Sequence, residues 1–189
     1  MYQRKIMVDV DDTISDFWAI MLPLLREQTR KYHVQLSDFT NYDSVLREFG
    51  IKQHQFLGLC KEVFHMLPPR KRMIEKINDL SNTYEIVIAT ARSFDDNAYN
   101  KTADWLEDHG VAYDRLHITD RPKHEFFAGE KPFQFIFEDK LETVRSFLDH
   151  NMTNNAVMVV APWNEHGVDD LKTQYMNRFH PVTEDGEIT

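Results

Sequence analysis

The chain has 189 residues, 42% of them hydrophobic and 28% charged, with a net charge of −9. That composition belongs to an ordinary globular chain long enough for one full-sized domain. The acidic balance argues against a nucleic-acid duplex or an anionic membrane as main partner, and a single cysteine, Cys60, excludes an internal disulfide or a thiolate metal cluster.

The N-terminal stretch MYQRKIMVDVDD has no signal-peptide apolar region. No uninterrupted apolar run approaches the roughly 20 residues that span a bilayer. The expectation is a cytoplasmic protein.

Taken in chain order, the first apolar run, KIMVDV (5–10), predicts a buried strand. From Ser15 to Pro68 no strand is recognisable. DFWAIMLPLLREQTRKYH reads as a long helix bent at Pro23, and KQHQFLGLCKEVFHML (52–67) as another, before Pro68-Pro69 closes the segment. The spacing of Met73, Ile74, Ile77 and Leu80 predicts a helix over 70–83. YEIVIAT (84–90) predicts the next strand.

Ala98, Thr102, Trp105 and Leu106 then share one face of a helix over 95–110, with Asp95 or Asp96 as N-cap and Gly110 as the stop. YDRLHIT (113–119) is a weaker strand and FQFIFED (133–139) a strong one. A helix over 141–151 follows, carrying Leu141, Val144, Phe147 and Leu148, and then the strand AVMVVA (156–161). Cys60 and the run NEHG (164–167) read as packing and loop. The acidic end TEDGEIT reads as a frayed tail.

Alternating strands and helices predict an α/β fold, a Rossmann-like parallel sheet flanked by helices. The expected organisation is a core of residues 1–14 and 69–182, a helical insertion of 15–68 after the first strand, and a tail of 183–189.

In open parallel sheets, chemistry sits beyond the carboxyl ends of the strands. Asp9 ends the first run, Thr90 ends the second, and Glu138 with Asp139 ends FQFIFED. Gathered in one crevice, these acids require a cation, and hard oxygen ligands suit Mg²⁺. An isolated acidic loop is often a solvated turn, and Glu138-Asp139 also suits the start of the following helix. An EF-hand reading of the first loop fails: counted from Asp9, Ile14 stands where Gly is needed and Ile20 where a bidentate Glu is needed.

VDVDDTI, IVIATAR and FIFEDK, in that order with a lysine before the third, resemble the motif set of the haloacid dehalogenase-like (HAD) phosphohydrolases. Within that superfamily, TARSFDDNAYNKTADWLEDHGVAYDRLHIT and the later APWN resemble the 5′(3′)-deoxyribonucleotidases and their bacterial relatives. The resemblance implies that Asp9 attacks phosphorus, that Asp11 serves as acid and base, and that a lysine balances charge. Thr90 and the backbone at Ala91 and Arg92 would hold phosphate oxygens.

Two lysines compete for the charge-balancing place. Lys123 follows a strand end and is preferred; Lys131 sits just before a strand, at the other end of the sheet. The metal would be held by Asp9, the main-chain carbonyl of Asp11, and Asp139, with Glu138 as a secondary ligand. Residues 15–68 would form a small cap, with Phe17 leaning over a base or sugar. Asp12 stands where many members have Gly, a substitution that tight turns tolerate.

The expected activity is Mg²⁺-dependent phosphomonoester hydrolysis on nucleotides. The alternatives are another HAD phosphatase or phosphotransferase acting on a sugar or cofactor phosphate, and a silent phosphate-binding regulatory protein. The expected partner is a small phosphorylated molecule, with a second copy of the chain as a further candidate.

Overall fold

The computed structural model describes residues 4–183 and 186–187. Its centre is a six-stranded sheet in the order β3-β2-β1-β4-β5-β6, with every neighbouring pair parallel. The strands are β1 (Lys5–Val8), β2 (Glu85–Thr90), β3 (Arg115–Ile118), β4 (Phe133–Glu138), β5 (Thr153–Val159) and β6 (Phe179–Val182). Pairs such as Val8↔Ile88 and Val8↔Phe137 bring the carboxyl ends of β2, β1 and β4 side by side. This is the Rossmann-like α/β architecture that the alternation of elements predicts.

Each face of the sheet is covered by helices. Ile6 and Val8 point into one core with Met73, Ile74 and Ile77 of α4 (Lys71–Ser81) and Trp105 and Leu106 of α5 (Ala98–Asp108). Met7 points the other way, into a core with α7 (Leu141–Asp149) and α8 (Val168–Gln174). Both faces of β1 are therefore buried, which is why its sequence is a continuous apolar run rather than an alternating one. Between β3 and β4 lies the one-turn helix α6 (Lys123–Phe126).

Residues 17–63 contribute only helices: α1 (Phe17–Thr29), a 3₁₀ turn (Leu36–Asp38), α2 (Tyr42–Phe49) and α3 (Gln53–Val63). They build a third apolar cluster around Met21, Leu25, Phe39, Phe49, Phe56 and Phe64. Pro23 lies inside α1, and the helix ends at Arg30, whose φ of 58° is left-handed, several residues short of the expected His33. Helix α2 has no counterpart among the expected helices. Its marks are local: Asn41 accepts from the Ser44 N–H at 2.9 Å, and Gly50, with φ of 67°, ends it.

Three other expectations change. Neither Asp95 nor Asp96 caps α5; Asn97 precedes the helix, and Asp95 Oδ1 instead accepts from the Asn97 N–H at 2.9 Å. β6 was missed because His180 and Pro181 interrupt a four-residue run, a pattern admissible at the sheet edge where β6 lies. The end of the chain is not simply frayed. The Thr183 N–H donates to the Glu187 carbonyl and the Gly186 N–H to the Thr183 carbonyl, each at 2.7 Å; the rest of the tail lies outside the described residues. Among the described residues no helix is long and apolar enough to cross a membrane.

Beyond β5, Asn164 is fully buried rather than part of a free loop, and Glu165–Gly167 form a 3₁₀ turn. Its Nδ2 donates to the Asp139 carbonyl at 2.8 Å and to the Val159 carbonyl at 2.9 Å, while its Oδ1 accepts from the Ala161 N–H at 2.8 Å. One amide thus ties the end of β5 to the loop after β4. Asn164→Ala leaves three buried backbone groups without that partner and is expected to cost about 2 kcal/mol or more, measured as a lower urea midpoint.

Candidate active site

The loop after β1 turns sharply, with Asp12 at a φ of 57°. Asp12 is buried there. Its Oδ1 accepts from the Phe17 N–H at 3.1 Å, and Arg70 Nη1 donates to its main-chain carbonyl at 2.7 Å. Burial outweighs the Arg70 charge and pushes the Asp12 carboxyl up to about 8. The same turn brings residue 11 back beside Ser15, so the chain leaves the sheet for the helical segment next to where it returns at Pro69.

Asp9, Glu138 and Asp139 offer carboxylate oxygens within 4.8 Å of one another, and all three are buried. Lys123, also buried, places its Nζ 2.8 Å from Asp9 Oδ1 and 2.7 Å from Glu138 Oε2. The short helix α6 exists at the right place to deliver it. Lys131, the competing lysine, is exposed just before β4. Glu138 is fully engaged, because its Oε1 also accepts the N–H groups of Asp139 and Lys140, each at 3.2 Å.

Burial and charge together account for the titration. Burial raises Asp9 in spite of Lys123, and burial followed by Glu138 and Asp9 holds Asp139 well above the carboxylate range. Burial also works on Glu138, but Lys123 and Lys140 prevail and bring it below its ordinary value. Lys123 and Lys140 are both raised, since the carboxylates outweigh desolvation.

Asp139 Oδ1 is buried here without a hydrogen-bond partner, as is Thr90 Oγ1 at the end of the neighbouring strand β2. An unpartnered carboxylate oxygen beside two further acids is what a hard cation satisfies, so these residues fit a divalent metal of the Mg²⁺ class. Asp9 and Asp139 would hold it, with Glu138 committed to Lys123.

The side chain of Asp11 is not in that group. Arg92 takes both of its oxygens, Nε at 3.0 Å and Nη2 at 2.5 Å. The resemblance puts the Arg92 backbone on phosphate; the Arg92 side chain is paired with Asp11.

Above the acids lies a cavity of about 330 Å³. Phe17, Trp18, Phe56 and Phe64 of the helical segment wall it, with Phe94 and Trp163 from core loops, and Ala91, Asp11, Asp139 and Lys140 border it. Cys60, read as simple packing, also reaches this cavity, where burial pushes its thiol up to about 12. The buried Trp163 Nε1 has no acceptor.

Four residues escaped the sequence reading: Lys140, Arg70, Trp163 and Asn164. Lys140 had one signal, its place directly after the acidic pair. APWN was noted as a stretch without a role for either of its last two side chains.

No protein-family profile and no curated protein matches the chain. Solved structures do share its fold. A haloacid dehalogenase-like family hydrolase from Streptococcus pneumoniae superposes with a TM-score of 0.61 at 13% identity, covering 96% of this chain and 94% of that one. A candidate beta-phosphoglucomutase from Thermotoga maritima gives 0.59 at 15% identity, over 97% and 95%. The magnesium-bound candidate HAD-hydrolase YfnB of Bacillus subtilis gives 0.52 at 16% identity, over 84% and 87%. The fold is thus that of the HAD-like hydrolases.

A buried acid whose folded pKa is raised costs stability at every pH above its unfolded value, about 3.9 for Asp. Neutralising Asp139 removes that cost. Asp139→Asn is therefore expected to melt higher than the unsubstituted protein at neutral pH in the presence of a chelator. Adding Mg²⁺ should raise the melting temperature of the unsubstituted protein and leave that of Asp139→Asn unmoved.

Proposed function

We propose that the protein is a Mg²⁺-dependent phosphomonoester hydrolase acting on nucleotides, with residues 15–68 as its cap. The observation that carries this reading is the convergence of Asp9, Thr90, Lys123 and Asp139 beneath an aromatic cavity. Acid–acid repulsion alone would disfavour such a cluster; a bound cation and a phosphoryl group would together use it.

Chemically, a bound Mg²⁺ would lower the charge barrier between a carboxylate and an anionic phosphate. In the first half-reaction an Asp9 oxygen bonds phosphorus while the ester P–O bond breaks, and Asp11 supplies a proton to the leaving oxygen. In the second, water bonds phosphorus, the bond from phosphorus to Asp9 breaks, and Asp11 takes the proton. Lys123 keeps Asp9 placed and neutralises part of the charge on the phosphoryl oxygens, towards which the Thr90 hydroxyl is available.

The cavity favours a flat, base-bearing leaving group over a sugar. About half of its lining residues carry aromatic rings, which stack on a base more readily than they satisfy a sugar's hydroxyls. Trp163 Nε1, buried without an acceptor, suits a carbonyl or ring nitrogen of a base.

The test is phosphate release from 5′- and 3′-nucleotides, sugar phosphates and an aryl phosphate, with and without Mg²⁺. Nucleotides should give the highest kcat/KM, release should need Mg²⁺, and Asp9→Asn should abolish it. Sugar phosphates outperforming every nucleotide would overturn the substrate, and turnover surviving in Asp9→Asn would overturn the mechanism.

A further inference from the structure

Arg92 is 1% exposed and among the largest fully buried side chains of the chain. A guanidinium so deep must be paired and hydrogen-bonded to be tolerated. Its partners are specific. Nε and Nη2 form a two-pronged contact with the two oxygens of Asp11, at 3.0 and 2.5 Å. Nη1 donates to Thr102 Oγ1 at 3.1 Å on α5, and the guanidinium carbon lies 4.6 Å from the centre of the Phe64 ring, which belongs to the helical segment.

A fork of this kind fixes the plane of a carboxylate, which a lysine cannot do. Asp11, by contrast, is 31% exposed and borders the cavity. Each of its oxygens keeps a second lone pair beyond the one that Arg92 occupies. The acid is thus held rigidly from behind and open in front, and the group that holds it is itself pinned to the core by Thr102 and packed against the helical segment by Phe64.

From this we infer that Arg92 is a positioning residue for Asp11, and that with an ester whose leaving group needs no proton its effect falls on the second half-reaction; the inference rests on the phosphohydrolase reading. For such an ester the second half-reaction is the step that uses Asp11. In that step the water oxygen bonds phosphorus and the P–O bond to Asp9 breaks, its electron pair returning to the Asp9 carboxylate. One water proton passes to Asp11. Inorganic phosphate and free Asp9 are the products. With Arg92 removed, Asp11 rotates freely and the phosphorylated enzyme waits for a correctly placed base.

The experiment is stopped-flow release of p-nitrophenol from p-nitrophenyl phosphate with Mg²⁺, comparing the unsubstituted protein with Arg92→Lys. This leaving group departs without needing a proton, so the first half-reaction is spared. Arg92→Lys should release a burst of about one equivalent per active site and then turn over about 100-fold more slowly. KM should fall in parallel, because the phosphorylated enzyme accumulates. Should Arg92→Lys fail to fold, Thr102→Val removes only the Nη1 anchor and should show the same burst with a loss of about 5-fold.

A slower variant with no burst and an unchanged KM would overturn the inference, since a merely structural role predicts that result. If the unsubstituted protein shows no Mg²⁺-dependent turnover of this ester or of any nucleotide, the phosphohydrolase reading fails, and this inference with it.

Discussion

Lys123 sits between Asp9 and Glu138 with salt-bridge distances of 2.8 and 2.7 Å, and all three are buried at the carboxyl end of the sheet. Buried charge is tolerated only when it is paired and hydrogen-bonded, so this triad dictates much of its surroundings. Lys123 shares these acids with the neighbouring Lys140, whose charge also reaches Asp9, Glu138 and Asp139. Asp139 Oδ1 is left there without a hydrogen-bond partner, a place that a bound cation would satisfy. Several otherwise odd features follow from supporting this point. Helix α6 is only four residues long, yet it carries the lysine. Asn164, fully buried among loops, holds the carbonyl of Asp139.

The helical segment depends on the same crevice from the other side. Its two connections to the core are stitched together: the Asp16 N–H donates to the Pro68 carbonyl and the Arg70 N–H to the Ile14 carbonyl, each at 2.8 Å. The left-handed turn at Asp12 lies beside these stitches, with Arg70 donating to its carbonyl. Its rings then close an apolar cavity over the acids. Apolar walls of this kind lower the local dielectric and strengthen the charge interactions beside them. Arg92 joins the two halves, since it touches Asp11, Thr102 of the core and Phe64 of the helical segment at once.

Much of the fold was legible in the chain because its signals are local. The runs around Val8, Ile88 and Ile136 are short, apolar and rich in Val, Ile or Phe, as buried strands are, and Ile77 or Phe147 fall on helical faces by spacing alone. Where local signal was thin, the reading slipped. The four-residue β6, broken by Pro181, offers little periodicity to detect, and α2 is only eight residues long.

Residue types and their order also determined which side chains were candidates: acids and a hydroxyl at the ends of apolar strands. Which oxygen meets which nitrogen was decided by packing. The fork of Arg92 on Asp11, eighty-one positions apart, and the contact of Asn164 with the Asp139 carbonyl, twenty-five apart, come from loops that meet only when the sheet orders its strands. A sequence carries the periodicity that buries a face; it does not carry the distance between two loop atoms. That distance depends on the whole sheet, and so do the burial and charge balance that set each carboxyl's affinity for a proton or a metal.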